Sequence, residues 1–311
     1  MDLQQLRYVV AVAELGNFTR AAERCFVVQS ALSHQVAKLE QELGARLFHR
    51  TSRSVALTPA GAALLPAARA CLMAAERARA EVAAATGEIR GRLAVGMIPT
   101  AAAVDVPSVL RAFHQEHPQV RISLSTGGSD VLSEQVRDGA LDVAFLGLAE
   151  DVEIAGLRSR RLARDPLAAL LAPDHRLAAR TRIRLETISG EEFVDFPAGT
   201  SGRVQADRAF SAAGLHRTVA FEVDDPYLMA RLVTEGLGVA LLASAYAARL
   251  PGVTVVPVVD TSHRIEHLVW DQRGPTPAAE AFIARATLSG TPARPGDGRS
   301  RHLTGGGAAA G

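Results

Sequence analysis

The pattern of apolar and polar positions near the start of the chain predicts two short helices joined by a tight turn, within residues 18–48. With about 100° per residue, four apolar positions of the second helix form one continuous side: Leu32, Val36, Leu39 and Leu43. The opposite side carries short or hydrogen-bonding side chains: Ser30, His34 and Gln41, flanked by Ser33 and Lys38. A helix with one packed side and one such polar side suits insertion into the major groove of DNA.

The first helix of this pair supports the same interpretation. We predict that Thr19 caps it, because a threonine hydroxyl can accept a hydrogen bond from a free backbone N–H of the first turn. Ala21 and Ala22 are small enough to let two helices cross closely. Residues 26–28 are all apolar, and we expect them to fill the corner between the helices.

A small β-wing is predicted directly after the helices. Residues 47–48 and 55–57 are β-suited and surround a polar segment that contains Arg50 and Arg53. Guanidinium groups at the tip of such a wing can contact phosphates or enter a narrow minor groove. The alternative is a solvated turn in which Arg50 forms a local salt bridge.

A long alanine-rich helix follows, with Thr58 as its cap and Pro59 at its first position. We expect it to run to about Glu88, with its apolar stripe along Leu64, Ala68, Leu72 and Ala75. A helix so long and so weakly apolar is best explained by a partner helix in a dimer. A solvent-exposed connector is the alternative.

From Gly91 onward, short β-suited runs alternate with helical spacing. The predicted strands lie at 93–97, 120–124, 141–146, 167–171, 193–196, 219–223, 239–242, 253–259 and 266–270, and a last helix at 277–288. Such alternation is typical of βαβ units and a parallel sheet. Residues 291–311 lack apolar periodicity, and we predict a disordered tail there.

Several motifs of the first 61 residues resemble the winged helix-turn-helix of LysR-type transcriptional regulators. They are L-x-x-L-R-Y at 3–8, G-N-F-T-R-A-A-E at 16–23, Q-S-A-L-S-H-Q at 29–35, L-E-x-E-L-G-x-R-L-F-x-R at 39–50 and L-T-P-A-G at 57–61. The resemblance implies an α/β protein with three parts: a winged helix-turn-helix at 1–58, a linker helix at 59–90 that pairs two subunits, and an effector domain at 91–290. The effector domain would have two α/β lobes, one at 91–161 with 264–289 and one at 162–263, as in type 2 periplasmic binding proteins.

By this resemblance the chain is expected to be a cytoplasmic, sequence-specific transcriptional regulator and not an enzyme. Its partners would be pseudo-palindromic double-stranded promoter DNA, a small-molecule effector and further copies of itself, as a homodimer or homotetramer; a contact with RNA polymerase is left open. The candidate DNA-binding residues are Gln29, Ser30, Ser33, His34, Lys38, Arg50 and Arg53. The family often has proline at the position of Ser30 and arginine at that of His34, so the base preference is expected to differ.

Three loops after predicted strands could hold the effector. In open α/β sheets, ligands bind beyond the carboxyl ends of strands, where helix N-termini present free N–H groups. The candidate residues are Thr100, Ser129, Thr200 and Ser201, and nearby Arg203 would favour an anionic effector. The alternative is that these hydroxyl residues are ordinary helix caps. No cofactor and no metal is predicted.

Composition and charge exclude some classes of protein but do not indicate a function. The chain has 311 residues, 48% of them hydrophobic, a net charge of +1 and two cysteines, which suggests no disulfide framework. No apolar run is long enough to span a membrane, and the amphipathic start does not read as a signal peptide. The sequence contains no G-x-x-x-x-G-K-[ST], C-x-x-C or H-E-x-x-H motif. Two alternatives remain, a solute-binding protein of a transport system and a doubly wound enzyme; the helix-turn-helix disfavours the first and the missing catalytic motifs the second.

Overall fold

The computed structural model of the chain describes residues 1–50 and 55–288. Arg53 at the predicted wing tip and the predicted tail at 291–311 therefore lie outside the described residues.

The first part of the chain is a winged helix-turn-helix head. Its elements are α1 (Leu3–Leu15), α2 (Phe18–Arg24), α3 (Gln29–Leu43), β1 (Phe48–Arg50) and β2 (Val55–Leu57). Leu32, Val36 and Leu39 of α3 are fully buried in the head core, as the pattern predicts. Leu43 was wrongly expected to join them: it is 42% exposed, because α3 ends at Gly44 in a left-handed conformation, beyond the core.

Two details of the first helix pair differ from the prediction. Asn17 and not Thr19 caps α2, since its side-chain oxygen accepts a hydrogen bond from the backbone N–H of Arg20 at 3.0 Å. Phe26 does not fill the corner: it has a left-handed φ of 54°, and the residue is 95% exposed. Val28 is exposed as well, so Val27 alone of the three packs partly against the core.

The linker helix α4 spans Pro59–Ala85 and begins at the predicted cap, where the Thr58 hydroxyl accepts a hydrogen bond from the N–H of Gly61 at 3.0 Å. The stripe predicted for dimerisation packs against the chain's own head and is not free to meet a second subunit. Ala68 is buried, and Leu64 and Leu72 pack partly against the core of the chain's own head, where α4 lies on α1.

A different face of α4 is open. We call it the open stripe; its members are exposed and follow one another at intervals of four or three residues: Ala63, Ala67, Cys71, Ala74, Ala78, Val82 and Ala85. Such spacing keeps small or apolar side chains on one side of a helix, as at the contact positions of a coiled coil.

The first lobe of the effector domain is a mixed sheet with helices packed on it. Its elements are β3 (Gly91–Met97), α5 (Val106–Glu116), β4 (Val120–Thr126), α6 (Ser129–Arg137), β5 (Val143–Ala149), β6 (Leu157–Asp165), β12 (Arg264–Asp271) and α11 (Pro277–Leu288). The strand order is β4-β3-β5-β12-β6; β3 pairs in parallel with β4 and β5, and β12 runs antiparallel between β5 and β6. The core centres on the edge-to-face rings of Phe113, Phe145 and Phe282.

The second lobe is also α/β, but it is less parallel than the pattern predicts. Its elements are β7 (Leu167–Leu171), α7 (Leu185–Ile188), β8 (Glu192–Asp195), α8 (Ser201–Ala212), β9 (Thr218–Glu222), α9 (Pro226–Thr234), β10 (Ala240–Ala243), α10 (Ser244–Ala247) and β11 (Thr254–Pro257). The fully buried β7 pairs antiparallel with β10 and β11, and β8 pairs in parallel with β9.

The sequence pattern missed strand β6. Its side chains are mostly exposed or half-buried and include four arginines, so it shows no apolar signal. Because β6 pairs with β12 as far as Asp165, the first lobe extends to Asp165 and not only to the predicted boundary at residue 161. The chain thus crosses between lobes after Asp165 and again before Arg264. Among the described helices, none has the length and apolar character needed to cross a membrane.

Candidate functional site

The face of α3 opposite the core is open to solvent. Gln29, Ser30, His34 and Lys38 are exposed on it, and Ser33 is half-buried. The helix begins at Gln29, after its N-cap residue Val28, and no side chain in the described part of the chain accepts a hydrogen bond from its first turn. The predicted base-reading residues therefore share one accessible surface, and the free N–H groups of the first turn lie at its end.

Arg50 folds back onto the head instead of extending from it. Its guanidinium carbon lies 4.1 Å from the centre of the Phe18 ring, and Nη1 donates to Ser33 Oγ at 2.9 Å. Nη2 lies 3.6 Å from the carboxylate of Glu40. This geometry is the local salt bridge that the sequence left as an alternative. Because Ser33 accepts from Arg50, its own proton remains available to an acceptor outside the protein.

Sequence analysis missed the role of Glu40. This buried carboxylate accepts hydrogen bonds from the backbone N–H groups of Leu47, at 2.8 Å, and Phe48, at 3.3 Å. It therefore fixes the start of the wing to the end of α3. The signal was the acidic residue within the L-E-x-E-L-G motif, in a helix position that faces the core.

A cavity of about 340 Å³ lies between the two lobes. The four predicted effector residues, Thr100, Ser129, Thr200 and Ser201, all line it. The loop after β3, the N-terminus of α6 and the N-terminus of α8 bring them together from both lobes. Apolar side chains form much of the remaining wall: Ile98, Pro99, Leu167, Phe196, Pro197, Leu241 and Leu242.

The four hydroxyl groups have different partners. Thr100 Oγ1 accepts a hydrogen bond from Arg264 Nη1 at 2.7 Å, so its proton is uncommitted. Ser129 Oγ donates to the carbonyl of Gly147 and accepts from its N–H, both at 3.1 Å. Thr200 donates to the carbonyl of Pro197 at 2.8 Å. Ser201 donates to Asp130 across the mouth of the cleft at 3.1 Å, which joins the two lobes.

Arg203 is not the cation of this cleft, contrary to the prediction. Its guanidinium donates to the carbonyl of Phe196 at 3.2 Å and to carboxylates of Asp207 and Glu222 at 3.2 and 2.9 Å. These acidic partners hold it behind the loop at 196–202, where it does not line the cavity.

Among the lining residues that the sequence analysis did not select are two that carry N–H donors in their side chains, Arg264 and Gln205. Arg264 is the first residue of β12 and is 6% exposed; Nη2 donates to the carbonyl of Thr100 at 2.9 Å and to Glu266 at 2.7 Å. Glu266 in turn accepts hydrogen bonds from the backbone N–H groups of Ala102 and Ala103. The sequence offered one sign that Gln205 lies at the cleft: it follows Ser201 by about one turn of α8.

A second buried carboxylate lies beside this pair. Asp165 accepts hydrogen bonds from the N–H of Ala245 at 3.0 and 3.3 Å, and burial raises its pKa, an effect that the Arg264 charge partly offsets. The salt bridge between Arg264 and Glu266 already balances the charge of the guanidinium inside the protein.

The two helices that begin at the cavity have N-termini without a side-chain cap. At α6 and α8, no side chain of the described residues accepts a hydrogen bond from the first turn. By contrast, Asp2, Asp105 and Asp225 cap α1, α5 and α9 in the ordinary way. The free N–H groups and positive dipole ends of α6 and α8 therefore remain available at the cleft. Within residues 1–50 and 55–288, no group of three side chains is placed to hold a metal ion.

Comparison with known proteins matches both parts of the chain. Residues 3–62 match the bacterial regulatory helix-turn-helix protein, lysR family, and residues 86–288 match the LysR substrate binding domain. The regulator ShiR of Corynebacterium glutamicum is 34% identical over 91% of this chain and 97% of its own length. The transcriptional dual regulator OxyR of Escherichia coli is 31% identical over 85% of this chain and 87% of its own.

Solved structures agree over nearly the whole chain. A full-length OxyR variant from Pseudomonas aeruginosa has a TM-score of 0.74 at 29% identity, and covers 93% of this chain and 98% of its own. Full-length CbnR bound to its target DNA has a TM-score of 0.66 at 27% identity, and covers 93% of this chain and all of its own.

Proposed function

We propose, from the premise that this chain belongs to the LysR family of transcriptional regulators, that α3 reads bases in the major groove while the cleft between the lobes binds a small anion. The family assignment makes the chain an oligomeric, DNA-binding regulator controlled by a small-molecule effector, and not an enzyme or a transport protein. The observation that carries the finer proposal is the cavity between the lobes, which polar residues from both lobes line.

On the DNA side, Ser30, Ser33 and His34 contact base edges, and Gln29 and Lys38 flank them. The support is their common accessible face on α3 and the uncommitted hydroxyl proton of Ser33. The uncapped first turn of α3 takes a phosphate. Arg50 acts by holding Ser33 and Glu40 in place, although its half-exposed side chain also lies within reach of a phosphate.

His34→Ala is expected to cost about 1–3 kcal/mol on the specific site and much less on random DNA, because base contacts and not phosphate contacts are lost. Lys38→Ala is the matched comparison on the same face. It should weaken both kinds of DNA alike and lower the salt slope by about one. Fluorescence anisotropy at several salt concentrations measures both effects. Equal losses on the two DNAs for His34→Ala would assign the histidine to the backbone.

Two copies pair through the open stripe of α4, which places two α3 helices in successive major grooves of a pseudo-palindromic site. The support is the run of exposed small and apolar residues and the absence of a partner for them in the described part of the chain. Effector binding then changes how the lobes close, which shifts the association of the subunits and the promoter output.

In the cleft, Thr100 presents its uncommitted hydroxyl proton to the effector, and the first turns of α6 and α8 present N–H groups. Thr200 and Ser201 line the same cavity, but their hydroxyl protons already go to Pro197 and Asp130. Ser129 acts differently, because both hydrogen bonds of its hydroxyl go to Gly147 and fix the start of α6. Genome-wide mapping of bound DNA tests the proposal first: promoters beside the strongest sites give the operator and the acids to try as inducers.

Thr100→Ala is expected to leave operator binding intact and to weaken the inducer about ten- to a hundredfold, because one hydrogen bond to a charged ligand is lost. The dose–response of the strongest mapped promoter measures this effect. Ser108→Ala is the control, since Ser108 lies in the exposed first turn of α5 and does not line the cavity. An unchanged dose–response for Thr100→Ala would remove that hydroxyl from the effector site.

Peroxide sensing is the second candidate, because some relatives are named hydrogen peroxide-inducible genes activators. The chain's only cysteines are Cys25 and Cys71, both outside the effector lobes. Cys25 is half-buried, and burial raises the pKa of its thiol, which lowers its reactivity. Cys71 lies on the open stripe. The geometry therefore supports a bound effector over a reactive thiol in the cleft.

A further inference from the structure

Two buried nitrogen donors in the cleft have no partner among the residues that the structure describes. They are Nε2 of Gln205, a residue 4% exposed, and Nε of Arg264, a residue 6% exposed. Both residues line the cavity between the lobes. A buried polar group without a partner costs free energy, and such groups are rare unless a ligand or water completes them.

The two buried side-chain atoms of the cleft that lack a partner are both N–H donors. Besides these two side chains, the uncapped first turns of α6 and α8 present only backbone N–H groups. The acidic residue on the lining, Asp224, is exposed at the rim. A ligand that satisfies this set must bring acceptors, as a carboxylate does.

The charge around Arg264 limits the ligand further. Glu266 lies 2.7 Å from Nη2 and balances the guanidinium, and Asp165 adds a second carboxylate nearby. The cleft therefore has little net positive charge to hold a second negative group. Its remaining wall is apolar, from Ile98, Phe196 and the leucines of β10.

We propose that Gln205 and Arg264 set the effector specificity by binding the single carboxylate of an otherwise apolar small acid. This inference rests on the proposed anionic effector and deepens it. Gly147 leaves room for the Arg264 side chain. A Cβ at this position would come within 3.1 Å of Arg264 Cδ and 2.6 Å of Ile98.

Gln205→Leu separates this role from a structural one. The substitution removes an amide that lacks a partner and keeps the apolar stem. We therefore expect the midpoint temperature of thermal unfolding of the full-length protein to rise by about 1–3 °C. Acid binding should weaken at least about tenfold in the same variant. Gln115→Leu, at an exposed position of α5, is the matched control and should change neither quantity.

The probes are cyclohexanecarboxylate, its amide, cyclohexylmethylamine and cyclohexane-1,4-dicarboxylate, titrated calorimetrically into the full-length protein. We expect the monocarboxylate to bind and the amide, amine and dicarboxylate to bind at least about tenfold more weakly. Arg264→Lys, which keeps the charge but loses the planar fork, should weaken the monocarboxylate as well.

The outcomes distinguish the two proposals. If no probe binds at about 10 mM, the anionic effector itself is contradicted. If the acid and the amide bind equally well, the cleft remains the effector site, but the assignment of Gln205 and Arg264 to a carboxylate is overturned. A Gln205→Leu variant that unfolds at a lower temperature than the wild type also overturns it, since the amide then has a structural partner.

Discussion

Replacement of Ala74 by glutamate is expected to halve the oligomeric state of this regulator. Ala74 lies at the middle of the open stripe on α4, between Ala63 and Ala85. If two stripes pack together, the substitution places two unpaired carboxylates in an apolar contact, which is a severe penalty. Analytical ultracentrifugation measures the result. Affinity for the full pseudo-palindrome should fall by roughly 10²–10⁴-fold, because each head then binds its half-site alone.

The control for Ala74→Glu is the same substitution at Ala62, which is exposed about 120° away around the same helix. Ala62→Glu should leave the oligomer intact. Leu72→Asp makes a second contrast: Leu72 packs on the chain's own head, so a charge there should unfold the head and not merely separate subunits. An Ala74→Glu protein of native mass would place the subunit contact on another surface.

The linker helix shows why sequence alone chose the wrong stripe. Alanine occurs on every side of α4, so its periodicity selects no face by itself. The larger leucines marked a stripe that does pack against other residues, but they could not tell whether these belong to another subunit or to the chain's own head. That choice depends on tertiary packing, which lies outside any helical pattern.

The sequence predicted the core of the head and the loops of the cleft, but it did not predict the charged residues of the cleft. The three core positions of α3 and the three cleft loops follow from local periodicity and from turn chemistry. Arg264 did not follow, because it reaches the cleft from a strand more than 160 residues after Thr100. Arg203 was chosen because it is near the loop in sequence, but Asp207 and Glu222 hold it elsewhere.

Asp195→Leu is expected to be the most destabilising substitution in the second lobe. Asp195 and Arg217 are 2% and 4% exposed by side chain, and their charged atoms lie 2.6 Å apart. The Arg217 guanidinium also lies 5.1 and 5.3 Å from the rings of Phe193 and Phe210. Burial raises the pKa of Asp195, although Arg217 and Arg203 favour its charged form. Removal of the carboxylate leaves the buried Arg217 with Asp207 as its remaining carboxylate partner, 2.7 Å from Nη2 and half-exposed. We therefore expect a cost of about 3 kcal/mol, the low end for a broken buried pair.

The double variant Asp195→Leu with Arg217→Met tests this explanation. Removal of both charges eliminates the buried guanidinium, which has lost one of its two carboxylate partners, and fills the space with apolar atoms, so most of the lost stability should return. Chemical denaturation of the wild type, both single variants and the double variant gives the coupling between the two residues. The first residue of the cleft loop, Phe196, bonds through its N–H to Asp195 at 2.7 Å, so effector binding should stay impaired after stability returns. Additive losses in the double variant would show that the pair is not coupled and that Asp195 stabilises the lobe through the loop alone.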